Sequence, residues 1–164
     1  MGRVWKFGDD INTDLIIPAR FNQTTDSEAL AKAAFCEHRP EFAEQVSSGD
    51  FIVAGSNFGC GSSREHAVIA IKAAGISAII ADSYARIFHR NAINIGLPVI
   101  ESREVFESCN DGDSLEVDLE GGLITHLVDG REFKIKPLPP FLMKIISAGG
   151  LVNFLKNHEI SELM

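Results

Sequence analysis

A single α/β domain over residues 1–164, mixing a parallel core with antiparallel strands, is predicted by three observations. Residues 51 to 81 have the shape of one strand–helix–strand unit, and such a crossover implies a parallel pair. After Asp111-Gly112-Asp113 the apolar residues alternate with period two, the mark of half-buried antiparallel strands. No stretch reads as a domain linker, an internal repeat or a low-complexity segment. A chain of this length buries a sound core without dividing.

In chain order, Val4 to Phe7 reads as a short strand and Gly8 to Thr13 as a polar turn. Ser27-Glu28 start a helical run through Ala33-Ala34, with Asp26 or Ser27 as its cap. Pro40 interrupts, and Glu41 to Val46 give another helical turn or two. Gly49-Asp50 followed by Phe51-Ile52-Val53-Ala54 reads as a turn and then a buried strand. A glycine-rich loop leads to a helix from about Ser63 to Ala74, ended by Gly75. Ile76 to Ala81 is the second buried strand. Ala85 to Asn94 reads helical, Gly96 ends it, and Leu97 to Ile100 begins another strand. The antiparallel part comprises Ser114 to Leu119, Leu123 to Val128 and Glu132 to Ile135, with turns at Gly121-Gly122 and Asp129-Gly130. Pro137 to Pro140 break the chain before helices at Phe141 to Ser147 and near Leu151 to Lys156.

The chemistry concentrates in Gly59-Cys60-Gly61-Ser62-Ser63-Arg64-Glu65-His66. Glycines let a backbone turn tightly and approach a ligand closely. A helix starting at Ser62 or Ser63 aims free N–H groups and its positive dipole end at whatever sits there. Arg64 adds a rigid fork of donors suited to a carboxylate or phosphate. Together these describe a small-anion site with a hydroxyl beside it; a serine that merely caps the helix is the competing account. The spacing is not that of a Gly-x-Ser-x-Gly nucleophile elbow. Gly59-x-Gly61-x-x-Arg64 lacks the third glycine of a dinucleotide fingerprint, and no Gly-Lys-Ser/Thr loop follows. Cys60 inside the loop reads as a small residue filling a tight turn rather than as a nucleophile.

Composition narrows the partners. A net charge of −8 argues against nucleic acid and anionic membrane surfaces, which need clustered Lys and Arg. It does not argue against a small anion, because one local arginine and a helix end dominate a site. Cys36, Cys60 and Cys109 form no Cys-x-x-Cys pair, and His38, His66, His89, His126 and His158 show no ligand spacing, so no metal site is expected in this chain. Met1 to Trp5 run into a strand-like pattern without a signal-peptide core, and no apolar run approaches the ~20 residues of a spanning helix. A cytoplasmic location is the expectation.

Residues 57–67, Asn57-Phe58-Gly59-Cys60-Gly61-Ser62-Ser63-Arg64-Glu65-His66-Ala67, closely resemble the serine–arginine motif of the aconitase superfamily's swivel domain. Asp9-Asp10-Ile11-Asn12-Thr13-Asp14 is similar to that domain's Asp-x-x-Thr-Asp opening, and Asp82 to Phe88 with Asn91 to Pro98 resemble a third family segment. The three fall in family order. A short chain carrying only this domain is similar to the small subunits of 3-isopropylmalate dehydratases. The resemblance implies a swivelling β/β/α layered fold and a hydro-lyase that dehydrates and rehydrates a hydroxy-dicarboxylic acid. It implies Ser62 as the catalytic base, Ser63 and Arg64 as substrate-carboxylate contacts, and Asp14, Gly59, Gly61 and His66 as supporting residues. His66 is expected to orient neighbours or cap backbone. The family's 4Fe–4S cluster is then expected in a separate large subunit, with the site between the two chains and the small chain inactive alone.

By the same resemblance, Arg20, Phe21, Asn22, Gln23 and Thr24 form the loop that reads the substrate's variable group. A neutral Gln23 weakens the case for a third carboxylate, while Arg20 nearby partly compensates. Isopropylmalate is the expected substrate. Homoaconitate or 2,3-dimethylmalate remain alternatives within the class, and a non-catalytic anion-binding regulatory module is the alternative outside it.

Overall fold

The computed structural model describes residues 1–62 and 64–163. Seven strands form one sheet in the order β4-β3-β2-β1-β5-β6-β7. Its parallel half consists of β1 (Gly2–Lys6), β2 (Phe51–Ala54), β3 (Ala78–Ala81) and β4 (Val99–Glu101), and its antiparallel half of β5 (Ser114–Asp118), β6 (Leu123–His126) and β7 (Glu132–Lys134). The halves meet where β1 pairs parallel with β2 and antiparallel with β5, placing Val4 opposite Phe51 and Gly2 opposite Leu115.

Side chains of the parallel strands alternate between two cores, as the pleat requires. Trp5, Ile52, Ala54 and Ile79 pack into a helical layer with α2 (Ser27–Ala33), α4 (Glu65–Ala73) and α5 (Arg86–Asn94). Val4, Phe51, Val53 and Ile80 pack on the other side against Leu115, Ile124 and Phe133 of the meander and Val105 of α6 (Arg103–Ser108). Covered on both faces, β2 and β3 are buried at every position, which is why they read as continuous apolar runs. The layering is therefore helices, parallel strands, then meander, in agreement with the expected β/β/α arrangement.

Most boundaries fall within two residues of expectation, including the Asp26 cap, whose carboxylate accepts from Glu28 N at 3.1 Å. Three differ for physical reasons. The polar stretch before Asp14 ends in a short helix, α1 (Thr13–Ile16), because the Asn12 side chain accepts from Leu15 N at 2.9 Å. Helix α4 begins at Glu65 rather than at Ser62 or Ser63. Arg64 N is already engaged by the Ser62 carbonyl at 2.9 Å, and the first helical carbonyl is that of Arg64, accepting from Ala67 N at 3.2 Å. Among the described residues no side chain caps this helix, and its N-cap position is Arg64 rather than Ser62. Helix α6 is unanticipated; the Ser102 hydroxyl caps it through Val105 N at 3.3 Å, and Val105 is its buried anchor. Short helix α3 (Glu41–Gln45) follows α2, and α7 (Pro140–Ser147) and α8 (Leu151–Asn157) close the chain against α5.

Candidate active site

Three loops meet at the carboxyl end of the parallel strands, where open α/β sheets gather their ligands. The first follows β1 and carries α1, the second joins β2 to α4, and the third joins β3 to α5. The middle loop is fastened from both sides. Gly59 N donates to Ile11 O at 2.7 Å and Thr13 N to Cys60 O at 2.9 Å on one flank. Phe58 N donates to Ser83 O at 3.0 Å and Ala85 N to Phe58 O at 2.9 Å on the other.

Gly59 is there because nothing larger fits. Its φ is +82°, and a Cβ would fall 2.1 Å from Cγ of Phe88, whose ring packs edge-on against Phe58 at 5.2 Å. Gly61, at φ +93°, turns the chain so that Ser62 emerges exposed above α1. Beneath it Thr13, only 1 % exposed, donates its hydroxyl to the Ser62 carbonyl at 2.9 Å, and the hydroxyl oxygen lies 3.5 Å from Ser62 Oγ. Asp14 forms an ion pair with Arg64, which also donates to Ile17 O at 3.4 Å. The Arg64 side chain is only 17 % exposed while Asp14 remains largely in solvent. Helix α1 thus serves as a platform: Thr13 supports the serine from below and Asp14 steadies the arginine.

A cleft of about 190 Å³ opens beside Ser62. Thr13, Ser62 and Arg64 line one side, and Arg86, Ile87 and Asn91 of α5 the other. No acidic residue is among its described walls. The arrangement offers a hydroxyl next to cationic donors, suited to gripping a carboxylate while a neighbouring C–H is presented to oxygen.

The structure brings together Ser62, Arg64, Asp14, Gly59 and Gly61. Ser63 lies outside the described residues. His66 is half-buried in the first turn of α4, and its side chain makes no hydrogen bond among the described residues. Residues 20–24 do not line the cleft; they lie in and just beyond a 3-10 turn at Ala19–Phe21 that leads on from α1. There Arg20 is ion-paired with Glu37 and stacks over the Phe21 ring at 4.9 Å, Asn22 and Gln23 are exposed, and Thr24 Oγ1 accepts from Asp26 N at 3.3 Å. Burial, with the Asp10 charge adding to it, pushes the Cys60 thiol above its ordinary value, the opposite of an activated nucleophile. Cys109 is buried and pushed up to about 11, chiefly by desolvation. No group of three or more His, Cys, Asp or Glu among the described residues is arranged to hold a metal ion, so the side chains present do not fit a 4Fe–4S cluster. Likewise no described helix is long and apolar enough to cross a membrane.

Sequence reasoning gave no role to Thr13, Arg86 or Asn91. For Thr13 a signal existed, a hydroxyl between the capping Asn12 and Asp14. Arg86 and Asn91 lie in the segment that resembles the family, but their place at the cleft comes from the approach of α5 to the serine loop.

Residues 6–104 match the family model of the aconitase C-terminal domain. The chain is 59% identical over 157 residues to a 3-isopropylmalate dehydratase small subunit 1 of Archaeoglobus fulgidus, covering 96% of this chain and 97% of that one. It is 55% identical over 155 residues to the 3-isopropylmalate dehydratase small subunit of Thermodesulfovibrio yellowstonii, covering 94% and 92%. Among solved structures, a 3-isopropylmalate dehydratase from Methanocaldococcus jannaschii superposes with a TM-score of 0.90 at 46% identity, over 98% of this chain and 95% of that one.

Proposed function

We propose, since the chain belongs to the aconitase C-terminal domain family and within it to the 3-isopropylmalate dehydratase small subunits, that Ser62 is the base of a hydro-lyase site completed by a large iron–sulfur subunit. The substrate is isopropylmalate, isomerised by loss and return of water in leucine biosynthesis, in the cytoplasm. The observation that carries the reading is the Ser62 hydroxyl standing beside an arginine that Asp14 and Ile17 O hold at the cleft wall.

The chemistry follows from those positions. Taking a proton from the carbon next to a carboxylate builds negative charge on that carboxylate, so the base must stand beside fixed positive donors. Arg64 supplies the two-pronged contact, with Ser63 beside it in sequence as a second carboxylate donor. A serine hydroxyl is a weak acid, and the cationic wall of the cleft favours its deprotonated form. Thr13 fixes the peptide that carries it, so Ser62 Oγ need not search for its position. A cluster carried by the large subunit would supply Lewis-acid chemistry toward the departing hydroxyl; none of the described residues here is placed for that task. Gly59 and Gly61 allow the close backbone approach, and the variable group projects beyond the cleft toward residues 20–24, which do not line it. The Arg20 charge is already met by Glu37, which favours an uncharged isopropyl group over the third carboxylate of homoaconitate.

Reconstitution with the large subunit tests this. Ser62→Ala should lower kcat by about 10²–10⁴-fold with subunit assembly intact, and the chain alone should show no turnover. Near wild-type kcat in Ser62→Ala would return that serine to a structural role.

A further inference from the structure

The cleft beside Ser62 reverses the sign of the molecule around it. The chain carries a net charge of −8, yet the described cleft walls hold two arginines, Arg64 and Arg86, and no carboxylate. The two arginines differ in standing. Arg64 reaches the cleft from the start of α4, is mostly buried, and is tied to Asp14 and Ile17 O. Arg86 is the first residue of α5, is exposed, and makes no ion pair or side-chain hydrogen bond among the described residues. Its partner α5 residues at the cleft, Ile87 and Asn91, are uncharged, so nothing on that side competes for its guanidinium.

A hydroxy-dicarboxylate presents two carboxylates. Arg64 can grip one; holding only one end leaves the molecule free to swing its C–H away from Ser62 Oγ. Orientation requires a second donor on the other wall, and a planar guanidinium binds a carboxylate with two parallel bonds. We propose that Arg86 is a second carboxylate-binding residue of this site, taking the carboxylate that Arg64 does not hold. This rests on the dehydratase reading above. It also gives a physical use to the strict placement of α5 against the serine loop, where Phe88 packs into the space left by Gly59 and thereby brings the start of α5 to the cleft.

The test uses the reconstituted two-subunit complex with isopropylmalate and with its two monomethyl esters. Arg86→Gln should raise KM for the diacid roughly ten- to a hundredfold, the scale of one charge-assisted contact, and lower kcat as well, because the C–H then swings away from Ser62 Oγ. Arg86→Lys should recover part of that loss. For the ester that blocks the Arg86-bound carboxylate, wild type and Arg86→Gln should converge, a result that a purely structural role would not produce. Thermal melts and sedimentation at saturating large subunit accompany each variant. Unchanged KM overturns the proposal, and so does weakened assembly with normal KM once assembly is saturated, which would make Arg86 a docking residue. A wild-type complex with no turnover on any hydroxy-dicarboxylate would overturn the dehydratase reading itself, whereas an active wild type with an indifferent Arg86→Gln overturns the Arg86 assignment alone.

Discussion

Thr13 and Ser62, 49 residues apart in sequence, are joined by a 2.9 Å hydrogen bond from the threonine hydroxyl to the serine carbonyl. The bond is almost fully shielded on the threonine side, so it holds the peptide of the candidate base against α1 rather than trading with water. Replacing Thr13 by Val keeps the volume and removes the donor. The Ser62 carbonyl keeps its bond from Arg64 N, so stability should fall by only about 0.5–1.5 kcal/mol. Turnover should fall further than that, because the serine is freed to wander. Thr13→Ser should retain both properties. Urea unfolding and kcat of the complex measure the two effects separately, and equal losses in Thr13→Ser and Thr13→Val would remove the hydroxyl from the account.

Asp14 and Arg64 make a half-exposed pair, which limits its worth for folding. Asp14→Asn should change stability by less than about 1 kcal/mol while raising KM roughly tenfold, since an untethered guanidinium must be ordered by the substrate. Melting temperature and steady-state kinetics on the same preparation test that divergence.

Gly59→Ala should be costly for two reasons at once. The left-handed φ strains any other residue, and the new methyl meets Phe88 at both Cγ and Cβ, at 2.1 and 2.5 Å. A loss of roughly 2–4 kcal/mol is expected, which lowers Tm by roughly 5–15 °C in a chain of this size. Because the Phe88 Cβ is itself in the way, shortening Phe88 to Ala should not rescue the variant. A melt within about 2 °C of wild type would show that the loop can shift at little cost.

Acid stability should trace to the far half of the sheet. Buried His126 lies between two carboxylates, with Nδ1 2.9 Å from Asp129 and Nε2 2.7 Å from Asp113. The Arg131 backbone N–H, then its guanidinium and the His126 ring, hold the Asp129 carboxyl down at about 2 against a smaller opposing effect of burial. Folded Asp129 therefore binds a proton more weakly than the unfolded chain does, where its value is about 3.9. Its contribution is complete above pH about 4 and disappears as pH falls towards about 2. Urea midpoints across that window should drop more steeply for wild type than for Asp129→Asn, and parallel curves would contradict the assignment.

What could be read from the chain and what could not divides along sequence distance. Ser27–Ala33 announced itself through the Asp26 cap, and β2 and β3 through unbroken apolar runs, because each signal lies within a few residues of the element it marks. Helix α6 did not, since four of its six residues are polar and its stability comes from one cap and one buried valine. The start of α4 was misplaced because the Ser62 carbonyl takes the Arg64 N–H that a helix beginning earlier would need. In the site, the residue types around Ser62 were legible as a motif. The pairing of Asp14 with Arg64, the bond beneath Ser62 and the neutralisation of Arg20 by Glu37 were not. Each joins segments that only the folded sheet brings together.

The reversal of direction between β1 and β5 gives the molecule two poles. The loops carrying Ser62 and Arg64 all leave the carboxyl ends of the parallel strands, whereas β5 runs the other way and delivers the exposed Glu120-Gly121 turn to their amino ends. That turn is a ready handle. A single thiol introduced at Glu120 would let the chain be anchored to a bead or sensor surface with its reactive pole facing outward, free to receive a partner, and the half-buried or buried native cysteines would compete little for the coupling reagent.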